Sequence, residues 1–127
     1  MKPHILVPGS PGMGLFTQLR KDLGKPVCID LDSYITQSHL FDSLMFVKDV
    51  DMLMCANYVE SVTRNEDILK ACLDGRVVTI DGRPNTFVYT GRITLYINFP
   101  ADDLHPALKD RFSIVNPEDT PKFLQII

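Results

Sequence analysis

Apolar positions along the chain fall into two rhythms. Short, nearly unbroken runs recur at His4-Ile5-Leu6-Val7, Val27-Cys28-Ile29, Met52-Leu53-Met54-Cys55 and Ile93-Thr94-Leu95-Tyr96-Ile97. Runs of that length with no polar face suit strands covered on both sides of a sheet, and they predict strands over 4–8, 26–31, 51–55 and 93–97. Between them the spacing lengthens to that of a helix. Leu15 or Phe16, then Leu19 and Leu23 share a face, and Gly24 and Pro26 follow as a stop, predicting a helix over 15–23. Leu40, Leu44 and Val47 share another face, with Ser38 read as the cap of a helix over 38–47. Thr63 and Glu66 stand at capping-box spacing, so a further helix is expected from there to about 73, ended by Gly75. Two β-prone runs, 76–80 and 86–89, flank Asp81-Gly82 and predict a hairpin. A polar loop, a short helix over 106–111 and a last strand from Phe112 complete the chain. Buried strands alternating with helices predict a three-layer α/β fold on a parallel sheet, with ligands at the carboxyl ends of the strands.

Composition narrows the picture. The 127 residues, 45% hydrophobic and 23% charged, suit one soluble domain, 1–127, with the hairpin as an insert over about 76–91. A net charge of −3 gives no general pull towards nucleic acid or a membrane surface. No apolar run approaches the roughly 20 residues of a membrane span, and the basic-apolar-small pattern of a signal peptide is missing, so a cytoplasmic location is expected. Cys28, Cys55 and Cys72 are odd in number and form no C-x-x-C pair, which predicts buried thiols in a reducing compartment. His4, His39 and His105 show no ligand spacing, and Asp102, Asp103 and Asp110 are poorly spaced for a cation. No metal site is expected.

The candidate chemistry lies in Gly9-Ser10-Pro11-Gly12-Met13-Gly14-Leu15-Phe16. A glycine turn between a strand and a helix offers backbone N–H groups and a helix N-terminus to an anion. In the working phosphate loop, G-x-x-x-x-G-K-S/T, the Lys holds phosphate oxygens and the hydroxyl holds Mg²⁺. Here Gly9, Gly12 and Gly14 keep the turn, while Leu15 and Phe16 stand where the Lys and hydroxyl belong. The site is therefore expected to be a vestigial nucleotide site. A different reading starts from Gly12-Met13-Gly14 after a strand, with Asp30 and Asp32 at about the distance of a ribose-binding acid. It points to a dinucleotide binder of the NAD(P) type, although Thr17 replaces the third glycine.

The second half of the chain adds a resemblance. The segment from Ile68 through Gly75-Arg76-Val77-Val78-Thr79 to Gly82-Arg83 resembles the helix-plus-hairpin of AAA+ ATPases of the MoxR and CobS kind. Leu95-Tyr96-Ile97-Asn98-Phe99-Pro100 resembles their sensor-1 strand, and Leu104-His105-Pro106-Ala107-Leu108-Lys109-Asp110-Arg111-Phe112 resembles their L-x-P-A-L-x-D-R-F segment. The resemblance implies a P-loop NTPase-like sheet without the helical lid, with Asn98 in the sensor position. It also implies a Walker B strand, for which two registers are open. Met52-Leu53-Met54 puts its acid pair on Cys55-Ala56, and Phe46-Val47 puts it on Lys48-Asp49. Neither supplies Asp-Glu. Since phosphoryl transfer rests on cations placed around the phosphates, the resemblance implies a core without catalytic residues, cofactor or ATPase activity. Its expected use is protein interaction, through Arg111 in the region that carries an arginine finger and through Arg76 and Arg83 on the hairpin. The partner would be a further copy, an active AAA+ subunit, or a host or phage protein, since so reduced a core suits a bacteriophage accessory protein. Nucleic-acid contact by the hairpin and a nucleotide module completed in trans are the other expectations.

Overall fold

The computed structural model describes residues 4–9, 15–24 and 26–115. Strands β1 (Ile5–Pro8), β2 (Val27–Asp30), β3 (Met52–Ala56), β6 (Ile93–Ile97) and β7 (Ser113–Ile114) form one sheet in the order β2-β3-β6-β1-β7. Every pairing in it is parallel, with Ile5 beside Thr94 and Ser113, Met52 beside Ile93, and Val27 beside Met52. The expected strands are all present within a residue or two at each end, and the last one begins a residue after Phe112.

Alternation along the strands divides the core. Ile5, Val7, Leu53 and Tyr96 face α1 (Leu15–Asp22), which covers them with Leu19 and, less deeply, Phe16. Leu6, Met52, Met54, Leu95 and Ile97 face the other way. There they meet α2 (Gln37–Met45) through Leu40, Phe41 and Leu44, α3 (Val59–Arg64) through Val62, and α4 (Glu66–Asp74) through Ile68, Leu69 and Cys72. Helices thus lie on both faces, as a sheet of unbroken apolar strands requires. A short helix, α5 (Pro106–Lys109), packs on α4. Among the described residues no helix is long and apolar enough to cross a membrane.

Two helix starts differ from the sequence expectation. Thr36, not Ser38, caps α2: its backbone is extended and its hydroxyl accepts the N–H of His39 at 3.2 Å. Ser38 lies inside the first turn, where its backbone is already helical. Thr63 caps nothing. It sits in α3 and its hydroxyl donates back to the Val59 carbonyl at 3.1 Å, the usual habit of a threonine inside a helix. The chain breaks at Asn65 instead (φ −107°, ψ 14°), and α4 begins at Glu66 without a side-chain cap. Gly75 ends α4 at φ +65°, in the left-handed region that favours glycine.

The hairpin is present but short. β4 (Val77–Val78) and β5 (Phe87–Val88) pair antiparallel as a separate two-stranded sheet. Phe87 anchors it on Phe41, ring centroids 5.2 Å apart. Tyr89 donates its hydroxyl to the Val50 carbonyl at 2.6 Å. A Cβ on Gly91 would overlap that same carbonyl, so the residue there has to be glycine for the hairpin to rejoin the sheet.

Candidate functional site

The carboxyl ends of β1, β2, β3 and β6 form one rim, where the parallel sheet would receive a ligand. On β1 the rim begins at Gly9, whose N–H donates to the Ile97 carbonyl at 2.8 Å. The Tyr96 ring lies directly against it, and a Cβ on Gly9 would overlap that ring. Phe16, on the first turn of α1, approaches the same ring with centroids 6.2 Å apart. One aromatic ring, Tyr96, therefore packs on Gly9, and a second, Phe16, lies beside it. Gly12 and Gly14 lie outside the described residues, and of Leu15 only its place at the start of α1 is described.

The central strands settle the Walker B register. β3 runs beside β6 and ends in Cys55 and Ala56, level with Tyr96 and Ile97. Lys48 and Asp49 lie in the turn at the opposite end of the sheet, where the Lys48 carbonyl accepts the N–H of Thr90 at 2.9 Å. The second register is thereby ruled out. Burial, with Asp30 and Asp32 nearby, pushes the Cys55 thiol up to about 12. Burial thus favours the neutral thiol there.

Carboxylates do reach the rim from β2, but they organise the chain. Asp30 accepts the Asp32 N–H at 3.0 Å and the Ser33 hydroxyl at 3.1 Å, capping a 3₁₀ turn over Leu31–Ser33. Asp32 accepts the backbone and side-chain N–H groups of Asn57 at 2.9 and 3.0 Å, and the hydroxyl of Ser61. Asn98 directly follows β6. Its amide donates to the Asn57 side chain, while its own Oδ1 is buried without a partner among the described residues. A chain of polar contacts thus runs from β2 through β3 to β6. Sequence reasoning missed Asn57, Ser61 and Tyr96. The only available signal was position, since Asn57 and Asn98 each follow a strand end directly.

The dinucleotide reading fails on topology. That fold sets the strand carrying the ribose acid beside the glycine-loop strand. Here β3 and β6 separate β2 from β1, a gap of about 14 Å at the usual strand spacing.

Three arginines singled out from the sequence are each held within the molecule. Arg111 grips Asp74 with two bonds, Nε to Oδ1 at 2.8 Å and Nη2 to Oδ2 at 3.1 Å, and also donates to the Ala107 carbonyl. The hydrogen bond from Arg111 holds the Asp74 carboxyl below its ordinary range. Arg83 grips Asp42 in the same two-bond manner, at 2.9 Å for both contacts. Arg76 touches Asp74 at 3.5 Å and is otherwise largely open to solvent. Cys28 is exposed on β2, against the expectation of a buried thiol, whereas Cys72 is buried. Among the described residues no group of three or more His, Cys, Asp or Glu could hold a metal.

No family model matches the sequence, and no curated protein matches it. Solved structures do resemble it. One mutant form of Thermotoga maritima RuvB superposes with a TM-score of 0.68 at 15% identity, covering 90% of this chain and 38% of RuvB. Two further mutant forms give TM-scores of 0.62 and 0.59, again at 15% identity, covering 88% of this chain and 36% of theirs. The fold is that of the AAA+ ATPases. This chain spans little more than a third of the AAA+ chains it resembles. Its finer likeness to the MoxR and CobS kind rests on the sequence segments alone.

The AAA+ fold implies ATP and Mg²⁺ at the rim, and the residues present do not fit them. Pro8-Gly9, Asp30 to Asp32, Ala56 to Tyr58 and Ile97 to Phe99 contain no Lys or Arg. Among the described residues, a polyphosphate at the end of β1 would meet the Tyr96 ring and no cationic side chain of the rim.

Proposed function

We propose that this chain is a non-hydrolysing AAA+-like module that works by binding a protein partner. The observation that supports it best is the packing of the Tyr96 ring over Gly9, with Phe16 beside that ring. The Tyr96 ring fills the space directly over Gly9 that a phosphate would need, and Phe16 beside that ring offers a phosphate no hydrogen-bond partner; burying an unpaired charge is strongly unfavourable. The chemistry that remains is surface chemistry, as in the arginine-bearing hairpin and the α4–α5 edge.

The test is nucleotide addition. ATP with Mg²⁺ should leave the melting temperature unchanged, because a ligand that binds only the native state must raise it, and turnover should stay at background. A clear rise at millimolar ATP would overturn the reading. A second reading, a nucleotide module completed in trans, draws support from the unpartnered Oδ1 of Asn98. It requires a nucleotide-dependent rise that appears only with the partner present.

A further inference from the structure

His4 is the one buried histidine among the described residues, and its ring stands where the hairpin joins the rest of the chain. Its Nδ1 accepts the N–H of Ile93, the first residue of β6, at 3.0 Å. A ring nitrogen that accepts carries no proton, so the proton of the neutral ring sits on Nε2. That nitrogen has the Leu73 backbone as its partner, where only the carbonyl can accept. Leu73 lies in the last turn of α4, just before the chain turns at Gly75 into β4, and Ile93 follows the return from β5. One imidazole therefore bridges the two roots of the hairpin, on either side of residues 74–92, and ties both to the start of β1.

Only a neutral ring can make this bridge. An imidazolium is a donor at both nitrogens, so proton uptake sets Nδ1–H against the Ile93 N–H and that bond must part. The ring has room to turn, because a cavity of about 230 Å³ beside it is lined by His4, Cys72 and Gly75 and by the chain from Val88 to Gly91. The hairpin's own ladder joins only Val77–Val78 to Phe87–Val88, too little to stand alone. The groups around the ring set the pH at which it charges. Burial lowers the His4 pKa below 6.5 and Arg92 adds to that, while the Leu73 bond and the Asp74 charge work the other way. Asp74 is already held by Arg111 and Arg76, and Asp51 accepts the Arg92 N–H at 2.9 Å. Cys72 and Tyr89, the other titratable groups of the cavity wall, are both pushed up by burial, the thiol to about 12, away from the range of His4.

We propose that His4 is a proton-operated latch on the hairpin. Neutral, it clamps both roots to the sheet; on taking up a proton it lets the hairpin open while β1, β3 and β6 stay paired. The closed form resists the proton, and the open form, with an ordinary pKa near 6.5, accepts it. Opening therefore grows as the pH falls through 6.5. The hairpin carries Arg76 and Arg83, so acidification changes the surface that it presents. The latch is a property of the fold and holds whether or not the hairpin binds a protein.

The test is amide hydrogen exchange on the full chain, labelled with ¹⁵N, from about pH 8 to about pH 5, with protection corrected for the intrinsic rate at each pH. The Thr90 and Ile93 amides, bonded to the Lys48 carbonyl and to His4 where the hairpin returns, are the probes. Their protection should hold level above pH 6.5 and fall below it by up to about tenfold per pH unit, the slope of one proton. Urea too dilute to unfold the chain should leave that exchange unchanged, since a local opening exposes little surface, and should speed the exchange of Met54 and Leu95 in the central sheet. The side chain in His4→Gln carries an acceptor and a donor but does not titrate, and it should remove the pH slope. Three results would overturn the proposal: level protection across the whole range, a slope kept in His4→Gln, or exchange at Thr90 and Ile93 that follows urea as steeply as at Met54 and Leu95. Should the variant fail to fold, the native chain decides through the first and third of these.

Discussion

Arg111 carries weight within its own chain. Its paired bonds to Asp74 tie the end of α5 to the end of α4, and both side chains are about one-third exposed. Arg111→Ala should therefore cost about 1 kcal/mol, the upper range for ion pairs open to solvent, read as a lower urea midpoint at unchanged slope. His4 is the second residue with a measurable role. It is buried at 7% exposure, its Nδ1 accepts the Ile93 N–H at 3.0 Å, and burial, with Arg92 adding to it, lowers its pKa below the ordinary 6.5. A hydrogen bond with the Leu73 backbone and the Asp74 charge oppose that shift and do not cancel it. The folded state thus keeps His4 neutral at a pH where the unfolded chain takes up a proton. Stability present above pH 6.5 should be lost as the pH falls from there towards the folded value. Urea titrations on either side of that window check it, and His4→Gln, which cannot titrate, should flatten the slope.

Among the elements, helix starts are where sequence and structure part. Thr36→Ala should cost about 1 kcal/mol through loss of the cap, whereas Ser38→Ala should stay within about 0.5 kcal/mol; thermal melts of the two variants decide which hydroxyl is the cap. Both hydroxyls precede the same apolar face, so spacing alone could not choose between them, and the choice fell to the extended backbone at Thr36. The four long strands were legible because continuous apolar runs of that length have few other uses. α3 was not, since Val59 and Val62 are too few to establish a period. Of the rim residues described, the sequence pointed only to Gly9 and Asn98. The rest of the rim joins Asp32 to Asn57 and Ser61 across 25 and 29 residues of sequence, and no local pattern announces such pairs. The Tyr96 ring over Gly9 was hidden in the same way: a tyrosine in an apolar strand reads as core, and its reach over the next strand's end depends on the register.

For the whole molecule, the sheet order has a consequence in time. β1 lies between β6 and β7, and its first residue, Ile5, pairs with Thr94 and Ser113. β1 therefore has no sheet neighbour until the roughly 90 residues up to β6 have followed it. Closing so long a loop delays the reward for ordering it, and topologies of this kind fold slowly, in milliseconds or longer. At about 5–20 residues per second, synthesis of the intervening stretch takes several seconds. Through that interval Ile5, Leu6 and Val7 are an unpaired apolar strand in a crowded cell, open to any chaperone that binds nascent chains.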